Sequence, residues 1–364
     1  MALRAPPEAA RDAAPSGNDE RTIMDSRRAF TLVMAVAAVV AVAAPSTASV
    51  KKPPKAPVVQ ELATFAAPGC ISGCGSGSTI GPDKALYVTD GPGGRVLRVD
   101  PETGAVTTFA TGLPPAIPGI GIGGAMDVAF IGRTAYVLVT LVGPALGQPG
   151  VVNGLYRIER DGTATLIADI GTWSIENPPR TAFFVPSGVQ YALERFRGGF
   201  LVTDGHHNRV LRVTRDGDIS ELIAFGNIVP TGLEVHGRTI YMGQAGPIPH
   251  LPQDGKVVRF TPRSATTQVA SGAPLIVDVE FGRGHQLYAL SQGIWDLPPI
   301  PENEGAPASP NTGRLLRVKR DGSFASVVAG LDRPTSFEFI RKTAYVITLT
   351  GKVIRIDNAA TQTP

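Results

Sequence analysis

Two strings recur six times, in strict alternation, along this chain. The first is a short apolar run centred on Tyr: ALYVTD, TAYVLVT, GFLVTD, TIYMGQ, QLYALSQ and TAYVITLT. The second carries Arg at a fixed place: RVLRV, GLYRI, RVLRV, KVVRF, RLLRV and KVIRI. The Tyr-like positions are Tyr87, Tyr136, Leu201, Tyr241, Tyr288 and Tyr345, spaced 49, 65, 40, 47 and 57 residues apart. Runs this short, rich in β-branched and aromatic residues and bounded by Gly, Pro and Asp, read as strands. An apolar strand precedes the Tyr run (MDVAFI, SGVQYAL, TGLEVH, IVDVEF, TSFEFI), and another follows the Arg run (AVTTFAT, ATLIAD, ISELIAF, TTQVAS, FASVVAG). Asp161-Gly162, Asp216-Gly217 and Asp321-Gly322 supply hairpin turns. Four antiparallel strands repeated six times at this period predict an all-β fold, a six-bladed β-propeller.

The sixth unit ends without a fourth strand, while VVQELATF at Val58 to Phe65 is a strand without a unit. The N-terminal strand is therefore expected to complete the last blade, which also removes a bare sheet edge. The load of 42 Gly and 32 Pro suits many short strands and argues against long helices. The chain divides into 1–23, a disordered or non-native extension with Met24 as an alternative start; 24–49, an export signal; 50–57, a linker; 58–357, the propeller; and 358–364, a C-terminal tail. Arg27 and Arg28, the apolar Ala29 to Ala44 and small residues up to Ala48 form the Sec- or Tat-type export pattern. An uncleaved anchor is the competing reading, and the 16-residue core is short for the roughly 20 residues a spanning helix needs. Cleavage leaves a secreted or extracytoplasmic monomer without membrane contact. Cys70 and Cys74 form one small disulfide loop in that compartment or remain free thiols. Beyond residue 50 the chain has 29 Lys and Arg against 26 Asp and Glu, with no basic run after Lys55, which argues against nucleic acid as a partner.

With strands lettered A to D from the ring centre outward, A–B and C–D loops share one face, and B–C and D–A loops share the other. The first face has turns such as GRT and RDG; the second has TLVGPALGQPGVVNG, QAGPIPHLPQDG, IGTWSIENPPRTAFFVPS and SQGIWDLPPIPENEGAPASPNTG. Long loops on a rigid scaffold are where binding normally sits; tolerated insertions are the plainer explanation. Candidate binding residues for a small molecule, glycan or protein are Trp173, Asn177, His206, His207, Asn208, Trp295 and Asp296. Adjacent histidines suit a metal or a proton, although in turns they are more often solvated. Asp90 and Asp204 are expected to cap their turns. Arg98, Arg157, Arg212, Arg259, Arg317 and Arg355 occur once per blade and so serve packing. They are expected to meet an inner-strand column holding Glu234, Glu280 and Glu338, with Gln190, Ala129 and Ile80 in the other blades. No G-x-S-x-G elbow, H-E-x-x-H or Walker loop is present. The candidate cofactor is a divalent metal in the channel, with Asp127, Glu234 and Asp278, joined by Asn177, as candidate ligands.

The repeats TDG…RVLRV and PTGLEV resemble NHL-type and SMP-30/gluconolactonase-like six-bladed propellers. Across residues 58–357 the six-unit layout and FAAPGCISGCGSGSTIGPDKALYVTDGPGGRVLRVDPETG resemble the ScyD/ScyE family of exported propellers. That resemblance implies the fold and export and carries over no catalytic residue. The SMP-30-like resemblance implies a channel metal held by acidic and Asn side chains, and with it an alternative function as a metal-dependent hydrolase or lactonase.

Overall fold

The two recurring strings lie side by side. Tyr87 faces Arg98, Tyr136 faces Arg157, Leu201 faces Arg212, Tyr241 faces Arg259, Tyr288 faces Arg317 and Tyr345 faces Arg355, each as a cross-strand pair. The computed structural model describes residues 55–66, 70 and 72–361. The six strand pairs are the middles of six four-stranded antiparallel sheets. From strand A to strand D, blade one is Ser78–Ile80, Leu86–Asp90, Arg95–Val99 and Val106–Ala110. Blade two is Gly124–Ile131, Thr134–Thr140, Gly154–Ile158 and Ala164–Asp169. Blade three is Gln190–Phe196, Gly199–Asp204, Arg209–Val213 and Ile219–Ala224. Blade four is Pro230–His236, Thr239–Gln244, Lys256–Phe260 and Thr267–Ser271. Blade five is Ile276–Phe281, Leu287–Ser291, Gly313–Val318 and Phe324–Leu331. Blade six is Pro334–Ile340, Thr343–Thr348 and Lys352–Asp357, with Val58–Thr64 as its outermost strand. That last strand pairs antiparallel from Val58 opposite Asp357 to Thr64 opposite Lys352, so the predicted closure is present.

Strand B is buried on both faces (Leu86–Asp90 throughout), because each blade is sandwiched between two others. The core is therefore not one central mass. It is six apolar layers, one at each boundary between neighbouring blades, such as Tyr87, Val96, Val128 and Val137 between blades one and two. Edge-on contacts of Tyr87 with Phe109 and Phe130, at 4.8 Å each, fill the first of these layers. Cys70 and Cys74 are joined as a disulfide. Ala359 folds back into the layer between blades five and six. The 1–23 extension, the 24–49 signal and most of the 50–57 linker lie outside the described residues.

Two expectations about the blades need correction. The inner-strand column opposite the Tyr positions holds Thr79, Ala129, Glu194, Glu234, Glu280 and Glu338. Gln190 and Ile80 do not belong to it. The string SGVQ mimics TGLE, but register is set by the hairpin turn, and counting back from Arg197-Gly198 reaches Glu194. The arginines also pair elsewhere. Arg98 meets Asp83, Arg157 meets Glu159, and Arg355 meets Asp357 and Glu102, all near the short-turn face. Arg212 and Arg317 are half-buried, and Arg259 is exposed.

Candidate functional site

The turn DGHHN is built around Asp204, which is fully buried. Its carboxylate accepts from the backbone N–H groups of Val189 (3.0 Å) and His207 (3.2 Å) and from Gln190 Nε2 (3.1 Å). Burial alone would raise this acid; His207 and Arg209 beside it more than offset that and hold it below the ordinary carboxylate value. Asp90 caps the corresponding turn of blade one through Gly93 N–H, at 3.0 Å. His207 is buried with both ring nitrogens occupied: Nδ1 lies 2.9 Å from Arg209 Nη2 and Nε2 lies 3.0 Å from the Val185 carbonyl. His206 Nε2 accepts from the N–H groups of Phe184 (2.8 Å) and Val185 (3.1 Å), which leaves its hydrogen on Nδ1, 3.5 Å from Glu304. Burial, then the neighbouring His207, keeps the His206 ring below its usual value. Asn208 Oδ1 accepts from Ile228 and Val229 N–H, at 2.8 and 2.9 Å. The histidine pair is thus structural: it fixes the Phe183–Val185 segment and reaches the long loop of blade five.

Trp173 and Asn177 sit on the short helix α1 (Ile170–Glu176) and at its C-terminal cap, within the D–A connection from blade two to blade three. Asp169 starts the helix by accepting from Thr172 N–H at 2.8 Å. Arg209 donates to the Asn177 carbonyl at 2.7 Å, and its guanidinium stands 5.0 Å from the Trp173 ring, so both residues enclose a buried cation. Trp295 turns inward. It packs with Ala245, Leu275 and Ala308, stacks edge-on to His250, and donates Nε1–H to the Ala306 carbonyl at 3.1 Å. It ties the loops of blades four and five into one body and offers little surface. Asp296 beside it is exposed.

The surface of this face comes from residues that the sequence reasoning passed over. Ile175, Phe183, Phe184, Leu251, Ile294, Leu297 and Ile300 are exposed, Phe184 by 60%. All seven lie on the long connections, whereas the other large exposed apolar residues among the described ones are Val58, Val59, Val106 and Leu166 on outer strands. Single exposed apolar residues need no explanation, but a group confined to one rim does. The signal was present as AFFVP and IWDLPPI, apolar runs held in Pro-rich loops.

Beneath this face the channel is crossed. Tyr191 of blade three donates its hydroxyl hydrogen to the Thr335 carbonyl of blade six, directly opposite in the ring, at 3.0 Å. Asp127 and Asp278 border the same cavity, shared with Ser76, Gly77, Thr335 and Ser336. Each aspartate bridges two blades through backbone N–H groups: Asp127 accepts from Val128 (2.8 Å) and Leu193 (2.7 Å), and Asp278 from Val279 and Phe337 (2.9 Å each). Further toward the short-turn face lie the half-buried Glu194, Glu234, Glu280 and Glu338. Burial pushes Asp127 and Glu234 up to about 7. Burial, reinforced by the other carboxylates, holds Glu194, Glu280, Glu338 and Asp278 well above their ordinary values. Glu234, Asp278 and Asp127 therefore do share the lumen. Among the described residues, however, no three His, Cys, Asp or Glu side chains gather as a metal-binding group. Each oxygen of the two aspartates already accepts one N–H donor, so a channel metal would have to share those oxygens with the backbone.

Fold and site together define a six-bladed β-propeller with long, apolar-tipped loops on one face. No family model matches the chain, and no curated protein matches it in sequence. Solved structures do. The chain is similar to a gluconolactonase from Xanthomonas campestris (15% identity, 79% of this chain and 87% of that one, TM-score 0.53). It is also similar to a Thermus thermophilus protein described as a putative oxidoreductase (glucose dehydrogenase) (16% identity, 82% and 99%, TM-score 0.54). A virginiamycin B lyase from Staphylococcus aureus matches at 13% identity over 83% and 99%, with a TM-score of 0.49. At such identities the first two matches show a likeness of fold, and fold does not carry function.

Proposed function

We propose that this protein is an exported propeller of ScyD/ScyE-like type whose long-loop face binds an apolar surface of a protein partner. One observation carries the reading: among the described residues, the large exposed apolar side chains outside the outer strands all stand on that face. The loops bearing them are held by the His206–Phe184 and Trp295–Ala306 hydrogen bonds, so the surface is preorganised and binding need not order it. Projecting Phe and Ile side chains suit contact with another protein better than a small-molecule cleft, which would be concave.

Photo-crosslinking in the producing cell tests this. A benzophenone amino acid at Phe184, Leu297 or Ile300 is expected to give one defined protein adduct, and at Glu102 or Asp216 on the opposite face, none. Phe184→Ser with Leu297→Ser should reduce the adduct formed from position 300 by about tenfold, the effect of losing two apolar anchors. Equal adducts from both faces, or none from the loops, would exclude the proposal. Point substitutions are preferable to truncating 291–313, because the buried Trp295 also supports the blade four loop.

A further inference from the structure

The A–B turns are the innermost connections on the short-turn face and encircle the mouth of the channel. Each of the six carries an exposed cation: Lys84, Arg133, Arg197, Arg238, Arg283 and Arg341. Turn geometry does not require this. Blades two and four use Gly-Arg, blade three Arg-Gly, blade six Arg-Lys, and blades one and five longer connections (Gly81–Ala85 and Gly282–Gln286). The charge is common to all six turns although their construction differs. None of the six cations is ion-paired to another described residue; Arg197 instead lies over the Phe196 ring at 4.9 Å. The one acid in these turns, Asp83, is held by Arg98 at 2.7 Å. The outer C–D turns mix the signs, with Asp100, Glu102, Glu159, Asp161, Asp216, Asp218 and Asp321 beside Arg160, Arg215, Arg263, Lys319 and Arg320. The long-loop connections have the opposite sign, with Glu176, Asp254, Asp296, Glu302, Glu304 and Asp332 against Arg180 and Arg333. Unpaired like charges held around one ring repel each other, and an anion laid across them relieves that repulsion. The channel behind them is crossed by the Tyr191–Thr335 hydrogen bond, so such an anion rests on the rim and does not pass through.

We propose that the ring of six turn cations on the short-turn face is a docking surface for an acidic polysaccharide. Guanidinium forks match carboxylate and sulfate groups bidentately. A membrane surface is the weaker fit, because interfacial docking combines basic with apolar side chains and no large exposed apolar residue lies in these turns. Nucleic acid is weaker too, since single strands need free rings to stack on. His236 and His285 instead pack on each other, with centroids 4.9 Å apart, and His236 also packs on Phe281.

The test is titration calorimetry with polygalacturonate and with heparin, repeated over a range of NaCl. Binding is expected for the unaltered protein and should weaken with salt. Arg133→Gln, Arg238→Gln, Arg283→Gln and Arg341→Gln together should weaken it about tenfold or more and flatten the salt slope. The same change at the outer-turn Arg160, Arg215, Arg263 and Arg320 should stay within about twofold, the scale of screened long-range charge. All eight positions are exposed, and an unchanged melting temperature certifies folding. No binding to either polymer, or an equal loss in the outer-turn set, would overturn the proposal. So would tighter, ring-dependent binding of phosphatidylglycerol vesicles or of a thymidine oligonucleotide.

Discussion

A chain shortened to begin at Phe65, without Val58–Thr64, is expected to melt about 10 °C lower than the intact protein and to aggregate on warming. The lost strand is mostly exposed, so little of its contribution is apolar burial; only Leu62 and Ala63 reach the layer between blades six and one. Its role is to pair the backbone of Lys352–Asp357 along six register positions. At about 1 kcal/mol net per hydrogen bond, several such bonds contribute on the order of 4 kcal/mol, and each kcal/mol shifts melting by about 2–4 °C in a domain of this size. The exposed Lys352–Glu61 pair adds little. Aggregation follows from a second consequence: strand C of blade six becomes a bare edge able to template pairing with another chain. Calorimetry and light scattering on the shortened protein read both effects. An unchanged melting temperature would mean that the first strand decorates the ring without closing it.

The repeat made the blades legible because every blade must bury the same two middle strands, and burial writes a pattern. Function writes no such pattern here. Trp295 looked like a binding residue because tryptophan in a loop is rare, yet its partners Ala245, Leu275 and Ala308 come from three separate stretches that only the fold brings together. His206 and His207 looked free because a five-residue turn contains nothing to occupy them; their partners, at Phe184, Val185 and Glu304, lie in other loops. The exposed Phe183 and Phe184 were visible as letters but not as surface, since exposure depends on what fails to cover them. Glu194 was missed for a local reason: two strands that begin with similar strings enter the ring at different heights. The turn cations were missed because each sits in a different turn sequence, and only the ring places them together.

Stability should fall as pH rises from about 4.5 to 7 and beyond, which is unusual among acids held in a fold. The surface acids Asp83 and Glu61 lie below their ordinary values, through partners Arg98 and Lys352 that outweigh burial. The lumen acids do the reverse. Asp127 and Glu234 titrate near 7 in the folded ring, against 3.8 and 4.5 when unperturbed, because burial penalises their charged form. A group raised on folding contributes stability fully below its unfolded value and loses it as pH climbs through the folded one. For Glu234 that loss is on the order of 3 kcal/mol, at about 1.4 kcal/mol per unit. Glu194, Glu280, Glu338 and Asp278, raised by burial and by the neighbouring carboxylates, add to the decline. Asp204 sets the acid limit, since its lowered value makes the blade three turn weaken once that buried carboxylate protonates. Glu234→Gln with Glu280→Gln and Glu338→Gln keeps shape and removes three of the six titrating lumen acids, so the variant should match the parent at pH 5 and melt higher at pH 8. Melting curves across that range decide it: a parent protein whose stability is flat or rises between pH 5 and 8 would show that these carboxyl groups carry charge in the folded ring and are paired or hydrated there.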